Sequence, residues 1–339
     1  MRVGQGLRDK ILCFLTFLRP ISAMPSTPDA IRIASRESRL AMVQSEWIAA
    51  KLRAQYPTAK IDIIGMTTKG DQILDVPLAQ IGGKGLFIKE LETALVDGRA
   101  DIAVHSMKDV PMTLPPGFSA VIVGEREDAR DAFVSNRFAS IESLPQGATV
   151  GTSSLRRESQ LRHARPDLDI SALRGNVNTR LAKLDAGHFD AIILAAAGLK
   201  RLGFEARIRE SLSPDIYLPA IAQGALGIEY QTARSDLAGW LAPFANEITS
   251  AMVNAERAFG RALTASCDVP LGAHASLLGG ALTLDGFVAM PDGSRMIRRS
   301  QRGRVADAQS LGSALAQMLI DEGAGEILAS LSRHSADAS

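Results

Sequence analysis

The sequence has only two cysteines among its 339 residues, Cys13 and Cys267. They lie far apart and Cys13 belongs to an N-terminal extension, which argues against a structural disulfide. The five histidines form no metal-ligand spacing with each other or with the cysteines, so we expect no metal centre. The net charge is only +1, which excludes binding of nucleic acid or another polyanion through overall charge. Any affinity for an anion must therefore be local.

The sequence also lacks a long hydrophobic run. The apolar segment 11–18 is too short to span a bilayer, and Arg19-Pro20 stands where a signal-peptide cleavage site would need small residues. An export signal is the alternative interpretation of this segment. We expect a cytoplasmic protein with no membrane partner, with residues 1–29 as a disordered or non-native extension and either Met1 or Met24 as the native start.

Length and composition are those of a globular protein with two or three domains. Hydrophobic residues make up 46% of the chain and charged residues 22%. Residues 31–34 and 61–64 are predicted strands on either side of a helix over 38–55, and a similar series begins at Asp131. The apolar positions of that helix at helical spacing are Leu40, Val43, Trp47 and Leu52. The expected division is residues 1–29 as the extension, 30–124 with 225–243 as a first α/β domain, 125–224 as a second, and 247–335 as a small α+β domain.

The segment 150–157 is the first candidate for a binding site. It is predicted to be a strand that ends in the turn Thr152-Ser153-Ser154 and opens a helix carrying Arg156 and Arg157. The first amides of a helix have no partner inside it and favour an anion, and hydroxyls and guanidinium groups add charge-assisted hydrogen bonds. An ordinary Ser/Thr cap with two solvated arginines is the alternative.

A second basic loop follows at Arg174, Gly175 and Arg180. From residue 151 to residue 180 there are six arginines against three acidic residues. Positive charge is therefore concentrated where the two loops lie, which favours a multivalent anion site between two α/β domains.

Asp109 is the candidate for general acid/base or electrostatic chemistry. It follows the predicted strand 101–104, at the end of the strand where open α/β sheets place their ligands. A helix cap or an ion pair with the neighbouring Lys108 is the alternative.

Other segments carry further candidates. Arg36 and Ser38 lie where a predicted strand meets a helix, so they are candidates for a second anion-binding turn, in the first domain. A solvated turn is the alternative. Lys84 lies in a Gly-Gly-Lys-Gly loop that lacks the spacing of a nucleotide site and is predicted to be a lid with one positive charge. Cys267 lies among small and polar residues, so it is either a reactive thiol or a small buried hydrophobe, and nothing places it beside His274 as a hydrolase dyad.

Several motifs together resemble the porphobilinogen deaminase (hydroxymethylbilane synthase) family. They match that family in order and spacing over roughly residues 31–333. The motifs are Ala34-Ser35-Arg36-Glu37-Ser38-Arg39-Leu40-Ala41, Gly82-Gly83-Lys84-Gly85-Leu86-Phe87, the run from Val104 to Pro111, the run from Gly151 to Arg157, the run from Arg174 to Arg180, and the run from Leu218 to Glu229.

The resemblance implies a fold and a cofactor. The implied fold is α/β, with two domains similar to type II periplasmic binding proteins, joined by crossed connections, and a small α+β C-terminal domain. The implied cofactor is a dipyrromethane attached to Cys267 by a thioether, and the implied substrate is porphobilinogen. The implied cofactor-binding residues are Ser106, Lys108, Asp109, Thr152, Ser153, Ser154, Arg156, Arg157, Arg174, Gly175, Arg180 and Arg201, and the implied substrate-binding residues are Arg36, Ser38, Lys84 and Gln223.

The implied activity joins four porphobilinogens with loss of ammonia and releases a linear tetrapyrrole. Each pyrrole carries an acetate and a propionate, and arginine suits the binding of such carboxylates. Asp109 is then expected to stabilise the cation left when ammonia departs. A monomeric enzyme is expected, and the alternative is a non-catalytic small-anion binding protein, since two α/β domains around an arginine-lined cleft also describe a transport or sensor module.

Overall fold

The computed structural model describes residues 27–72, 85, 87–263 and 269–337, with side chains up to residue 333. The predicted site residues Lys84 and Cys267 lie outside the described residues.

The described strands and α-helices follow the chain in an alternating order over most of its length. The strands are β1 (Ala30–Arg36), β2 (Lys60–Met66), β3 (Ile102–Ser106), β4 (Phe118–Val123), β5 (Asp131–Val134), β6 (Thr149–Gly151), β7 (Asp169–Ser171), β8 (Ala191–Ala195), β9 (Glu210–Ser211), β10 (Leu226–Gln231), β11 (Leu271–Leu278), β12 (Ala281–Ala289) and β13 (Met296–Gly303). The helices are α1 (Arg39–Gln55), α2 (Lys69–Gln72), α3 (Lys89–Val96), α4 (Leu155–Ala164), α5 (Val177–Asp185), α6 (Ala196–Arg201), α7 (Ser235–Leu241), α8 (Glu247–Ala262), α9 (Ala308–Leu319) and α10 (Gly325–Asp337).

Two mixed five-stranded sheets share one topology. The first has the order β2-β1-β3-β10-β4 and the second the order β7-β6-β8-β5-β9. In each sheet the first three strands are parallel, while the fourth strand, β10 or β5, runs antiparallel to its neighbours. Each antiparallel strand comes from the segment of chain that crosses between the two sheets. This is the arrangement of type II periplasmic-binding-protein domains, so the predicted fold class is confirmed.

The third sheet is an antiparallel meander, β11-β12-β13, covered by α8 and α9. Its core contains Phe259 of α8, Leu284 of β12 and Leu315 of α9, each fully buried. The two five-stranded sheets have separate cores. The first core is built around Ile33 and Ile102, and the second around Phe133, Ile192 and Ile193. Each sheet therefore buries its own apolar surface.

The buried face of α1 differs from the predicted one. Val43 and Trp47 are 36% and 41% exposed, whereas the polar residues Gln44 and Ser45 are buried. Gln44 Nε2 donates to Ser106 Oγ at 2.8 Å, and the Ser45 hydroxyl bonds to strand β1. These hydrogen bonds compensate for the desolvation of the two side chains. Two polar residues therefore lie on the buried face of α1, although the spacing of the apolar residues predicted an apolar face.

A buried carboxylate joins the three sheets. Glu256 of α8 is 0% exposed and accepts hydrogen bonds from Arg126 Nη1 at 2.6 Å and Arg126 Nη2 at 3.1 Å, from the Ala222 amide at 2.6 Å and from the Ala275 amide at 2.7 Å. Two crossing segments connect the first two sheets: residues 124–130 between β4 and β5, and residues 212–225 between β9 and β10. Arg126 and Ala222 lie on these two crossing segments, and Ala275 lies in β11. All of these donors converge on one charged group, so the crossings are tied to the third sheet.

Within the described ranges, no helix combines the length and apolarity that crossing a bilayer requires.

Candidate active site

Asp109 is positioned by a tight turn after β3. The strand continues directly into one 3₁₀ turn, Met107–Asp109, whose first side chain is buried. Gly227 of β10 lies beneath that side chain, because a Cβ at this position would come within 2.1 Å of Met107 Sδ. The Met107 side chain therefore packs against Gly227 and helps to hold the turn from which the Asp109 carboxylate emerges.

A pocket at the carboxyl end of the first sheet contains four of the predicted site residues. These are Arg36, Ser38, Ser106 and Asp109. Ser38 is the N-cap of α1, where its Oγ accepts from the Ala41 amide at 3.4 Å. Gln44, Phe87 and His105 also line the pocket, and sequence analysis missed all three.

Arg156 and Arg157 converge on a carboxylate that sequence analysis also missed. Arg156 Nη2 and Arg157 Nη2 each donate to Asp131 at 2.7 Å, and the three side chains are at most 8% exposed. Burial favours a neutral Asp131, but the charges of the two arginines outweigh it and hold the pKa of that carboxyl far below its usual range. The arginines are thus oriented by the protein itself and are not solvated on a helix surface.

The hydroxyls of the predicted anion turn have different roles. Thr152 Oγ1 accepts from the Ser154 amide at 3.2 Å, and Ser153 Oγ donates to the Leu173 carbonyl at 2.9 Å. Ser154 is the N-cap residue of α4, but its side chain makes no capping hydrogen bond. The alternative of an ordinary hydroxyl cap therefore does not describe this turn.

Lys108 and Arg180 carry positive charge that the surrounding carboxylates compensate only in part. Burial lowers the pKa of Lys108 to about 8, with Arg157 and Arg156 adding to the shift and Asp109 opposing it. Burial also lowers the pKa of Arg180 to about 10, helped by the charges of Arg157 and Arg174. These cations repel one another in a partly desolvated cleft, which favours an anionic ligand.

Two further groups extend this arrangement. Arg180 Nε donates to the Gly175 carbonyl at 2.8 Å, and Gly175 has φ +112°, a conformation that favours glycine. Within the described residues, Arg157 Nε is buried without a hydrogen-bond partner. A buried donor of this kind is costly unless a ligand accepts from it.

Gln223 connects the lysine to the arginine pair. Its Nε2 donates to Asp131 Oδ1 at 2.9 Å and to the Ala129 carbonyl at 2.7 Å, and its Oε1 accepts from Lys108 Nζ at 3.4 Å. The residue is 1% exposed, so its amide is used within the protein. Arg201 donates through Nη2 to the Gly224 carbonyl at 2.7 Å, next to Gln223 in the chain.

The Asp109 carboxylate lies between the pocket that contains Arg36, here called the first pocket, and a cation cluster formed by Lys108, Arg156, Arg157 and Arg180. Its charge acts on Arg36 in the first pocket and on Lys108 and Arg180 in the cation cluster. The structure therefore brings Arg36, Lys108 and Arg180, three of the predicted residues, near one carboxylate. Within the described part of the chain, no cluster of His, Cys, Asp and Glu has the composition of a metal site.

Fold and site together define a two-lobed α/β protein with a cation-lined cleft and an attached third domain. Residues 31–239 match the family model described as porphobilinogen deaminase, dipyromethane cofactor binding domain, and residues 250–321 match porphobilinogen deaminase, C-terminal domain. The chain belongs to the porphobilinogen deaminase family, as its motifs predicted, and it contains that family's cofactor-binding domain.

Several porphobilinogen deaminases are similar in sequence to this chain over nearly their whole length. The porphobilinogen deaminase of Chromobacterium violaceum is 60% identical over 303 residues, which is 89% of this chain and 98% of the relative. Those of Thiobacillus denitrificans and Nitrosomonas europaea are each 58% identical, covering 89% and 90% of this chain and 98% and 99% of the relatives. This agreement favours the predicted enzyme of tetrapyrrole synthesis over the non-catalytic anion binder.

Two solved structures of low sequence identity give weak structural matches. The methionine binding protein MetQ aligns with a TM-score of 0.40 and 13% identity over 64% of this chain and 90% of that chain. The Bordetella pertussis BvgS periplasmic VFT2 domain aligns with a TM-score of 0.39 and 15% identity over 63% of this chain and 85% of that chain.

Proposed function

We propose that this chain is a hydroxymethylbilane synthase, which joins four porphobilinogens head to tail with loss of ammonia and releases the linear product by hydrolysis. The observation that carries the proposal is the position of Asp109. Asp109 lines the pocket with Arg36 and shares one turn with Lys108, so one carboxylate lies beside both the pocket and the neighbouring cations. A cation formed on the substrate there meets a fixed negative charge, and the carboxylates of the pyrroles meet fixed positive ones.

The residues of the cleft fit a dipyrromethane. Its acetate and propionate groups require several donors, and the cleft offers an orphaned Arg157 Nε and cations whose pKa values are lowered by burial and by one another. When bound, the dipyrromethane supplies the pyrrole to which the first substrate is joined. The residues proposed to hold it are Ser106, Lys108, Asp109, Thr152, Ser153, Ser154, Arg156, Arg157, Arg174, Gly175, Arg180 and Arg201, with Cys267 as the attachment point.

The substrate is proposed to bind in the first pocket. Arg36 and Ser38 line it together with Asp109, and Lys84 and Gln223 remain predicted contacts. Asp109 stabilises the positive charge that develops as ammonia leaves, and its Oδ atoms then accept the pyrrole proton that is released. The protein contributes electrostatic stabilisation and orientation to the reaction.

Intact-mass measurement tests the attachment. The purified wild-type chain is expected to carry the added mass of two pyrrole units, Cys267→Ser is expected to lack it, and the matched control Cys13→Ser to keep it. Ehrlich's reagent, which colours dipyrromethanes, provides an independent readout. A wild-type chain without this mass and without colour contradicts the proposal.

Steady-state kinetics test the role of Asp109. Asp109→Ala is expected to lower the rate by about two to four powers of ten while retaining the pyrrole mass, because one preorganised charge is removed from the reacting centre. The control Asp185→Asn removes a carboxylate that pairs with Arg207 on the surface, and it is expected to leave the rate unchanged. A turnover of Asp109→Ala close to that of wild type would contradict the proposed role of Asp109 in the reaction.

We also propose that the chain acts as a monomer in the cytoplasm and that its three units follow the division predicted from the sequence. In support of a monomer, large exposed apolar side chains such as Val96, Ile216 and Leu278 are spread over different parts of the chain. Light scattering coupled to size-exclusion chromatography is expected to give the mass of one chain.

A further inference from the structure

We propose that Asp71 and Phe87 position the guanidinium of Arg36 so that its remaining edge binds a side-chain carboxylate of porphobilinogen. The inference rests on the proposed function, since it takes Arg36 as a substrate-binding residue. It adds two positioning residues that sequence analysis did not identify.

Asp71 occupies one edge of the guanidinium. Arg36 Nε donates to Asp71 Oδ2 at 3.0 Å, and Arg36 Nη2 donates to Asp71 Oδ1. This bidentate pair uses Nε and one hydrogen of Nη2, which leaves the hydrogens of Nη1 and the second hydrogen of Nη2. Within the described ranges Arg36 has no other hydrogen-bond acceptor, so the edge formed by Nη1 and Nη2 remains for a ligand.

Asp71 is itself held in place. Thr68 is fully buried, and its Oγ1 donates to Asp71 Oδ2 at 2.7 Å, while the Asp71 amide donates to the Thr68 carbonyl at 3.0 Å. Burial favours the neutral form of Asp71, but the hydrogen bonds from Arg36 and Thr68 outweigh it and hold the pKa of that carboxyl below its usual value. Asp71 is therefore a fixed anion at neutral pH.

Phe87 packs against the same guanidinium group. The guanidinium carbon of Arg36 lies 4.4 Å from the centroid of the Phe87 ring, within the range of a cation–π interaction. The ring passes directly over Gly70, where a Cβ would come within 2.3 Å of a ring atom. The absence of a side chain at Gly70 thus permits the stacking that orients Arg36.

The remaining edge belongs to the pocket that contains Asp109. Ser38, Gln44 and Asp109 line this pocket with Arg36. A carboxylate bound by Nη1 and Nη2 would anchor the pyrrole ring next to the carboxylate that stabilises its positive charge. A lysine at position 36 would keep the charge but lose the two parallel donors that match a carboxylate.

A double-mutant cycle on the cofactor-loaded enzyme tests the inference. Arg36→Lys and Asp71→Asn are each expected to raise KM for porphobilinogen about tenfold, with kcat within about twofold of wild type, because each loses the oriented fork. The double variant is expected to show no further rise, since Asp71 acts only through Arg36. The control Asp185→Asn removes a similar pair with Arg207 and is expected to leave KM unchanged.

Each outcome separates the inference from the function on which it rests. If Arg36→Lys leaves KM unchanged, the proposed substrate role of Arg36 is wrong. If Arg36→Lys raises KM and Asp71→Asn does not, or if the two effects add, the positioning role of Asp71 is overturned while the role of Arg36 stands.

Phe87→Leu tests the stacking and also serves if Asp71→Asn fails to fold. It is expected to raise KM about threefold, the value of an exposed cation–π contact, with the pyrrole mass and the melting temperature kept. An unchanged KM in a folded, loaded Phe87→Leu protein overturns the role of the ring.

Discussion

Arg157 Nη2 donates to Asp131 Oδ1 at 2.7 Å, and both side chains are buried. Residues 131 and 157 belong to different elements, strand β5 and helix α4, so the contact is made only in the folded protein. It holds the guanidinium in one orientation and leaves Nε without a partner in the described structure. A carboxylate of the protein thus orients an arginine that is proposed to bind a carboxylate of the cofactor.

Asp131→Asn is expected to destabilise the protein by about 3–5 kcal/mol, because it leaves two buried arginines without their shared counter-charge. The pKa of Asp131 is lowered in the folded state, so its contribution to stability is full above about pH 4 and declines in more acidic solution. Thermal unfolding of wild type and variant between pH 3 and pH 8 measures this as a difference that narrows at the acid end. The control Asp167→Asn removes a more exposed partner of Arg165 and is expected to cost far less. Equal melting temperatures of wild type and Asp131→Asn at pH 7 would contradict the prediction.

Lys108 is expected to make stability increase with pH. Its pKa is about 8 in the folded protein against an ordinary value of 10.5, so the unfolded chain binds more protons between these values and stability rises as the pH increases through them. The measurement compares the melting temperature of the cofactor-free Cys267→Ser protein with that of a Cys267→Ser, Lys108→Met double variant from pH 7.5 to 10.5. The advantage of methionine is expected to shrink as the pH rises. Parallel curves for the two proteins would show that burial of this ammonium is not costly.

Ala222→Gly is expected to cost almost nothing. Ala222 has φ +60°, the one non-glycine with positive φ in the described ranges, so a glycine relieves about 1 kcal/mol of backbone strain and offsets the greater freedom of the unfolded chain. The control Ala225→Gly removes an equally buried methyl group without relieving positive φ, and it is expected to lose about 1 kcal/mol. Chemical denaturation measures both, and equal losses would contradict the strain at Ala222.

Gly224→Ala is expected to be severely destabilising. Gly224 has φ +89°, and a Cβ there would come within 2.2 Å of the Glu127 carbonyl oxygen, a backbone atom of the other crossing segment. The control Gly147→Ala has φ +76° with open space around the new Cβ, so it measures the conformational strain alone, about 1–2 kcal/mol. The larger loss expected for Gly224→Ala is the cost of separating the crossings. Equal losses for the two variants would show that the crossings move apart freely.

The sequence predicted the fold because the signals are local. Short apolar strands alternate with helices, and the helix predicted over residues 38–55 is observed as α1, Arg39–Gln55, with Ser38 as its N-cap. The motifs also predicted which loops carry charge. The predicted buried face of α1 was wrong because Gln44 and Ser45 form hydrogen bonds with residues of β3 and β1. The polarity of a residue alone does not indicate that it has such a partner.

The acidic residues that organise the cleft were harder to predict. Asp71, Asp131 and Glu256 form their decisive hydrogen bonds with residues between 19 and 130 positions away. A weak signal existed for Asp131, since a charged residue opens the apolar strand Asp-Ala-Phe-Val and must find a partner when buried. The identity of that partner depends on how the chain crosses between the sheets, which no local pattern contains.

The position of β10 in the first sheet affects the order in which the two sheets can be completed as the chain is synthesised. This strand lies between β3 and β4, yet it follows them by about a hundred residues along the chain. On the ribosome, β3 and β4 therefore emerge with unpaired edges and wait until the whole second sheet has been synthesised. A nascent chain stopped before residue 226 leaves its first lobe open, so the first lobe to be translated is not the first that is able to complete its sheet.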